Sequence, residues 1–414
     1  MTGHAPRVAV VGAGIGGLTL GLALRARGVE VDLYERADEL REVGAAVALS
    51  ANGTRELIRL GVGEPLDRVS TQPTELIYRD GRTGDRIAAH PGGASYRARF
   101  GAPYWGIHRV DLQQGLARAF GAEHLHLGRA VSGVHDRSAG AVVEFSDGST
   151  VGADVVVGAD GVHSVLREFV TGPGSGPVYS GTSAFRGLVP REALPTLPDP
   201  LAIQFWAGPR AHLLHYALGG EERGDDTVNF FAVLCGPAAW EGGQHEAADG
   251  ELLAGFAGWH PAVVEMLAAV GQSPRWPLLS QPPLTRWTRG RVALIGDACH
   301  AMLPHHGQGA NQSIEDAVVL ADLLATTDPD TALAAYPRRR RARTRAIARS
   351  AWETGTLLHL PAEDPGLEHR DARFAAYLDA NAWVHAHSAS DHPATEHPAT
   401  DHSATTTPLT EASA

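Results

Sequence analysis

The start of the chain leaves few folds available. Four apolar residues, Val8 to Val11, run straight into Gly12-Ala13-Gly14-Ile15-Gly16-Gly17, and a helical apolar pattern follows from Leu18 to Arg27. Gly28 stops that pattern, and Val29 to Tyr34 forms a second strand-like run. Strand, glycine turn, helix and strand in this order predict a βαβ unit of the dinucleotide-binding kind. Glycine lets the backbone turn tightly and approach a pyrophosphate, which then sits at the positive end of the helix. Glu35 closes the second strand 18 residues after Gly17, where a carboxylate can hold a ribose hydroxyl. Gly12, Gly14, Ile15, Gly16, Gly17 and Glu35 are therefore candidate cofactor contacts. A glycine-rich packing turn alone leaves Glu35 unexplained.

Composition narrows the function. With 414 residues the chain can form two domains around sizeable cores. A net charge of -12 argues against general nucleic-acid affinity and against docking on an anionic membrane. Cys235 and Cys299 are the only cysteines, so no disulfide framework is expected and a reducing cytoplasm is the expected compartment. Lysine is absent and all 35 basic residues are arginine, which excludes a Schiff-base, P-loop or general-base lysine. The apolar run Val8 to Leu24 is broken by glycines and lacks a cleavage site. No stretch approaches the roughly 20 apolar residues of a membrane span.

Two kinds of segment alternate along the chain. Residues 1–70, 106–177 and 281–345 are expected to build a cofactor domain. Residues 71–105 and 178–280 carry alternating patterns at Leu201 to Trp206, His212 to Leu218 and Val228 to Leu234, expected as an inserted antiparallel sheet that forms a substrate domain. Residues 346–386 are expected as C-terminal helices. Residues 387–414, with DHPAT, EHPAT and DHSAT repeating every five positions, have little to pack and are expected to be disordered. The run Arg338 to Arg341, with Arg343 and Arg345, is expected on a solvated helix face.

Two further turns follow apolar strands. Gly158-Ala159-Asp160-Gly161-Val162-His163-Ser164 follows Val155 to Val157 and by itself is only a strand, a turn and an N-capped helix. Residues 296–312, GDACHAMLPHHGQGANQ, follow Val292 to Ile295 and admit two readings. Cys299, His300, His305 and His306 lie within eight positions, like metal ligands. The same stretch offers Gly296-Asp297, then Gly307, Gly309 and Asn311 ahead of a helix from about Ser313 to Leu324, like a loop cradling a cofactor. Cys299 and His300 are neighbours that would project poorly to one ion, and Cys-x-x-Cys pairs are absent. Three glycine- or acid-bearing turns at strand ends suggest one large cofactor spanning the sheet.

GAGIGG, GADG and GDACHAMLPHHGQGANQSIEDA, in this order, resemble the three flavin-site motifs of the class A FAD-dependent aromatic hydroxylases. Salicylate hydroxylase, 6-hydroxynicotinate 3-monooxygenase and 3-hydroxybenzoate 6-hydroxylase are members of that family. The resemblance covers about residues 7 to 385. It implies a p-hydroxybenzoate hydroxylase-like α/β fold: a Rossmann-like FAD-binding domain, an inserted antiparallel-sheet substrate domain and a C-terminal helical segment. It implies FAD as cofactor, NADH or NADPH as reductant and O2 as co-substrate, in a monomer or homodimer. The implied substrate is a small aromatic compound, a phenolic or hydroxypyridine acid, hydroxylated through a flavin C4a-hydroperoxide, with decarboxylation left open.

Site residues follow from the same resemblance. Glu35 would hold the adenosine ribose with Arg36 beside it, and Arg41 would join the cofactor contacts. Ala48 would line the flavin, Arg109 would contact FAD from a helix start, and Val131 would meet the adenine. Asp160 and Gly161 form the turn associated with FAD and NAD(P)H. Asp297 would bind the ribityl-pyrophosphate region, while Pro304, Gly307, Gly309, Ala310 and Asn311 would border the isoalloxazine. Amides at Gly309 to Asn311 can stabilise a reduced flavin without any lysine. Tyr216 matches a pocket tyrosine of the hydroxynicotinate enzymes and is the expected phenol-ionising residue, with His215 second. On a strand, His212, Leu214 and Tyr216 share one face, and Leu213 and His215 the other. Ala48 stands where the hydroxynicotinate enzyme has histidine, which implies a different activation or a different substrate. Cys299 is expected to pack inside, and His305 and His306 to edge the site.

Other readings remain. A halogenase of this fold would need its lysine and a WxWxI signature, and both are missing. A plain NAD-dependent dehydrogenase would use GAGIGG and Glu35 but leave Gly296-Asp297 idle. The same flavin chemistry on a larger aromatic or indolic intermediate is an alternative, and a non-enzymatic metal-binding protein a remote one.

Overall fold

The expected βαβ unit lies at the centre of a six-stranded sheet in a computed structural model of the chain. The structure describes residues 5–40, 46–220, 226–271, 273–361 and 363–391. Arg41 and the histidine repeats of the tail lie outside these residues. The first strand, Val8–Val11, is buried throughout and runs parallel to Val31–Tyr34 on one side and Val155–Gly158 on the other. The latter continues parallel to Val292–Leu294. These strands are continuous apolar runs because both faces of a parallel sheet are covered. The helices Ile15–Arg25 and Gly309–Thr326 pack together beside the sheet. The three glycine- or acid-bearing turns therefore leave neighbouring strands at the same, carboxyl-terminal edge, where ligands of such sheets bind.

A second sheet has seven strands, in the order Trp276–Ser280, Val178–Pro190, Thr227–Cys235, Ala211–Leu218, Ile203–Gly208, Glu75–Asp80 and Arg86–Pro91. The expectation of a purely antiparallel sheet is corrected at one pair: Ile203–Gly208 runs parallel to Glu75–Asp80. More than a hundred residues join those two strands, including Leu125–His126 and Val155–Gly158 of the cofactor sheet, and a long crossover permits the parallel pairing that a hairpin forbids. One face of this sheet carries Phe185, Trp206, Leu213 and Phe230, which close a core with Phe256 and Met266 of the covering helices. The other face is turned toward the first domain.

The last described elements are the helix Pro329–Leu358 and three short helices between Leu367 and His385. The boundary expected after residue 345 falls inside the first of these. The arginine run is only partly solvated, as Arg340 is 1% exposed. Helical periodicity turns it inward, where it pairs with two fully buried acids, Glu315 and Asp316 (Nε to Oδ1 2.7 Å). Arg343 adds a second cation on Glu315 at 2.8 Å. Burial alone would raise both carboxyls. Arg343 and Arg340 around Glu315, and His300 and Arg340 around Asp316, overcome it and hold both below the usual carboxylate range. No helix of the described residues is long and apolar enough to cross a membrane.

Candidate active site

The glycine turn packs against its neighbouring turn more closely than any side chain would allow. Gly12 has φ of +104°, and a Cβ there would lie 2.4 Å from the Ala159 carbonyl oxygen. At Gly17 a Cβ would lie 1.9 Å from the Gly12 oxygen, so Gly17 supports the turn from behind and does not line a cavity. Gly14 caps the following helix and has no side chain to satisfy its first amides, which are left for an anion. Glu35 accepts hydrogen bonds from the Ala13 and Ala37 amides at 2.8 and 3.0 Å, which fixes its carboxylate at the rim.

Two cavities share Gly14, Ala159 and Gly161 and so form one groove along the sheet edge. The outer cavity, of about 660 Å³, is lined by Gly12, Glu35, Arg36, Val131 and Asp160. Asp160 accepts from the Val165 and Leu166 amides through Oδ2, while its Oδ1 is buried with no partner among the described residues. Burial raises the Asp160 carboxyl, against the hydrogen bonds it accepts. The inner cavity, of about 330 Å³, is lined by Ile15, Gly16, Ala48, Arg109 and Asp297 on one side and by Pro304, Gly307, Gly309 and Ala310 on another. The helix Gly309–Thr326 starts at this wall with no side-chain cap, so its amides face the cavity. A glycine cradle, two uncapped helix starts, a rim carboxylate and an orphaned acid oxygen suit a dinucleotide with a bulky head group.

The 296–312 stretch resolves into a cradle and its fastenings. Asp316 accepts from the Gly296 amide at 3.0 Å and meets His300 Nε2 at 2.5 Å. Cys299 packs inside as expected. The Asn311 side chain is buried off the cavity wall, accepts from the Ser50 amide at 3.1 Å and donates to the Gly307 carbonyl at 2.8 Å. It ties the strand Ala46–Leu49 to the cradle. His305 and His306 are corrected, since neither reaches the cavity. His305 stands edge-on to His212, with ring centroids 5.0 Å apart. His306 bonds to the Tyr377 hydroxyl at 2.8 Å and to Ser350 at 3.1 Å. Among the described residues no group of three His, Cys, Asp or Glu is placed to hold a metal ion.

The last wall is the second sheet. Register places Arg186, Phe231 and Leu214 in one row across three strands, and Leu188, Asn229 and Tyr216 in the next row on the same face. Arg186, Phe231, Leu214, Asn229 and Tyr216 line the inner cavity. Burial and then Tyr104 push the Tyr216 phenol well above its ordinary range, while Arg109 and Arg186 pull it down. His215 is corrected. It points to the opposite face, 6.3 Å from the Trp206 ring, and burial followed by Arg79 lowers its pKa to about 3. Strand alternation separates it from Tyr216. Arg186 and Asn229 were not anticipated. Each is a polar residue within an otherwise apolar strand pattern, SAFRGLVP and TVNFFAVL, and that interruption was the available signal.

The FAD binding domain family matches residues 6–351 of this chain. The 3-amino-4-hydroxybenzoate 2-monooxygenase of Streptomyces platensis is 37% identical over 395 residues, 94% of this chain and 98% of that protein. The 6-hydroxynicotinate 3-monooxygenase of Bordetella bronchiseptica is 35% identical over 335 residues, 80% of this chain and 86% of the other. Among solved structures, Klebsiella pneumoniae HpxO complexed with FAD and uric acid is similar with a TM-score of 0.79 at 29% identity, covering 92% of this chain and 96% of that one. A salicylate hydroxylase substrate complex has a TM-score of 0.79 at 28% identity, covering 93% and 96%.

Proposed function

This chain belongs to the FAD-dependent aromatic monooxygenases, and from that premise we propose that it hydroxylates a small aromatic acid in the inner cavity. The observation that carries the reading is the meeting of Tyr216 and the uncapped start of Gly309–Thr326 on one cavity, continuous with the glycine groove. Overall, one atom of O2 enters the ring, the other leaves as water, and NADH or NADPH supplies two electrons. Bound FAD supplies the redox chemistry and the activation of oxygen.

The chain's own residues do the rest. Glu35, Arg36 and Val131 hold the adenosine end, Gly12 to Gly16 and Asp160-Gly161 admit the pyrophosphate, and Asp297 takes ribityl hydroxyls. Ala48, Arg109 and Pro304 border the ring system, and the Gly309 and Ala310 amides favour negative charge beside it. Leu214 and Phe231 keep water from the reacting face. Tyr216 keeps its own proton and donates a hydrogen bond to the substrate oxygen, which favours a phenolate whose proton is left to solvent. The relatives are named for single-ring acids, aminohydroxybenzoate and hydroxynicotinate, which favours a single-ring substrate over a larger aromatic or indolic one. The enzyme works in the cytoplasm as a monomer or homodimer, a reading that the two free cysteines support for the compartment.

The test is to purify the protein, measure its FAD content, and follow NADH and NADPH oxidation with a panel of phenolic, hydroxypyridine and indole acids. A single-ring acid should stimulate oxidation and appear as a hydroxylated product. Stimulation by no aromatic compound, or no oxygenated product, would overturn the reading.

A further inference from the structure

Arg186 is a cation without an anion. Among the described residues the deeply buried arginines are all engaged: Arg340 with Glu315 and Asp316, Arg79 with Asp199 and Gln204, Arg370 with Asp371. Arg167 donates to four backbone carbonyls. Arg186, partly exposed where it lines the cavity, has none of this. Its Nε is buried with no hydrogen-bond partner among the described residues. The guanidinium carbon lies 5.3 Å from the Phe231 ring centre and 5.7 Å from that of Trp276. The charges acting on it are Arg109 and Tyr216, with no carboxylate, and burial followed by Arg109 lowers its pKa to about 10. A charge held largely out of water with no counter-ion is costly, and aromatic packing on its faces offsets only part of that cost. Stacking also leaves the N–H edge of the planar fork for a ligand.

We infer that Arg186 receives the carboxylate of the aromatic substrate, with the ring between it and Tyr216 and the reacting hydroxyl at Tyr216. This rests on the proposed hydroxylase function. A carboxylate matches the guanidinium fork with two parallel hydrogen bonds, which a neutral phenol or an amide cannot do. Arg186 stands on Val178–Pro190 of the substrate sheet and Arg109 at the start of the helix Arg109–Phe120, so the two cations approach the cavity from different elements. Arg109 remains with the cofactor, and Arg186 selects the acid. The adjacent row supplies Asn229 and Tyr216 for the polar groups at the other end of the ring.

The experiment compares 3-amino-4-hydroxybenzoate with its carboxamide on the FAD-loaded protein and on Arg186→Gln, Arg186→Met and Arg186→Lys. Binding is read from the change in flavin absorbance, turnover from NAD(P)H oxidation, and folding from Tm without substrate. The acid should bind the unmodified protein at least tenfold more tightly than the amide. Arg186→Gln should weaken acid binding by roughly 100-fold, the scale of losing a buried charge partner, and leave amide binding within about threefold. Arg186→Lys should recover part of the loss, FAD content should not change, and the Tm of Arg186→Met should be equal or higher. An unchanged acid-to-amide ratio in Arg186→Gln, or a lower Tm and lost FAD in both neutral variants, would overturn the assignment. Stimulation by neutral phenols alone would sink it while leaving the hydroxylase reading intact. Acid binding that depends on Arg186 but yields no hydroxylated product would do the reverse.

Discussion

Two buried polar regions of this molecule lie close together in the fold and differ in one respect. Behind the cradle, Glu315, Asp316, Arg340, Arg343, Asn52 and Gln312 engage one another across two helices and a strand-helix turn. In front of it, Arg186 lines the cavity with an unanswered guanidinium, and Asn229 and Tyr216 lie beside it on the same sheet face. The first region is closed and fixes position. The second is open, and what it lacks is the shape and charge of a ligand. A buried polar group therefore reports on structure when its partners are present and on binding when they are missing.

Breaking the closed region should have the largest effect. Arg340→Met leaves two buried carboxylates short of a cation and should destabilise the protein by about 3–5 kcal/mol, read as a lower denaturation midpoint. A midpoint within error of the parent would show that the network does not hold the cradle. Tyr216→Phe should leave folding unchanged and lower turnover by about 100-fold, with the rise of turnover moved to higher pH because the substrate phenolate loses a hydrogen bond. Equal turnover in that variant would move proton handling to another group. Gly17→Ala forces a Cβ onto the Gly12 carbonyl and should cost about 1–3 kcal/mol together with loss of bound FAD. Full FAD content would show that the turn has room to relax.

Acidification should separate the regions further. Glu315 and Asp316 are held below their unfolded values, so the stability they contribute is present at neutral pH and lost as pH falls through their folded pKa. His215 is lowered to about 3, so the unfolded chain takes up its proton first as pH falls below about 6.5. Its share of stability is complete above that pH and declines between about 6.5 and 3. The smallest effect belongs to His215→Leu. Both ring nitrogens are buried without partners, so the change should be neutral or stabilising by about 1 kcal/mol, with a shallower acid limb and unchanged turnover. Reduced turnover would return His215 to the site. His215 marks the limit of the comparison, as an orphaned polar group facing a core and no cavity.

The sequence was most readable where function is local along the chain. The groove from Gly12 to Glu35 follows from one βαβ unit, because every element that shapes it lies within a few turns of the next. The 296–312 cradle was readable for the same reason, but its histidines were not. Which way His305 and His306 turn depends on helix Pro329–Leu358 packing over them, and nothing near them in sequence says so. Arg340 follows the same logic: a run of arginines announces a helix, and only the acids on its neighbour show which one turns inward. The substrate wall was half legible. Alternation correctly put Tyr216 and His215 on opposite faces, yet choosing the face and adding Arg186 required the register between three strands. Asn311 stands in the cradle, and that its side chain fastens the cradle to the strand Ala46–Leu49 shows only in the fold.

The parallel pairing of Ile203–Gly208 with Glu75–Asp80 bears on how such a molecule is made and altered. The substrate sheet draws two strands at one edge from a segment synthesised long before the rest, with two strands of the cofactor sheet in between. The cofactor sheet is completed only by Val292–Leu294, after the substrate sheet's last strand, Trp276–Ser280, and neither sheet can be cut out as one continuous piece. New substrates therefore cannot be acquired by exchanging the sheet as a module. They must be acquired one side chain at a time, on the face that carries Arg186, Asn229 and Tyr216.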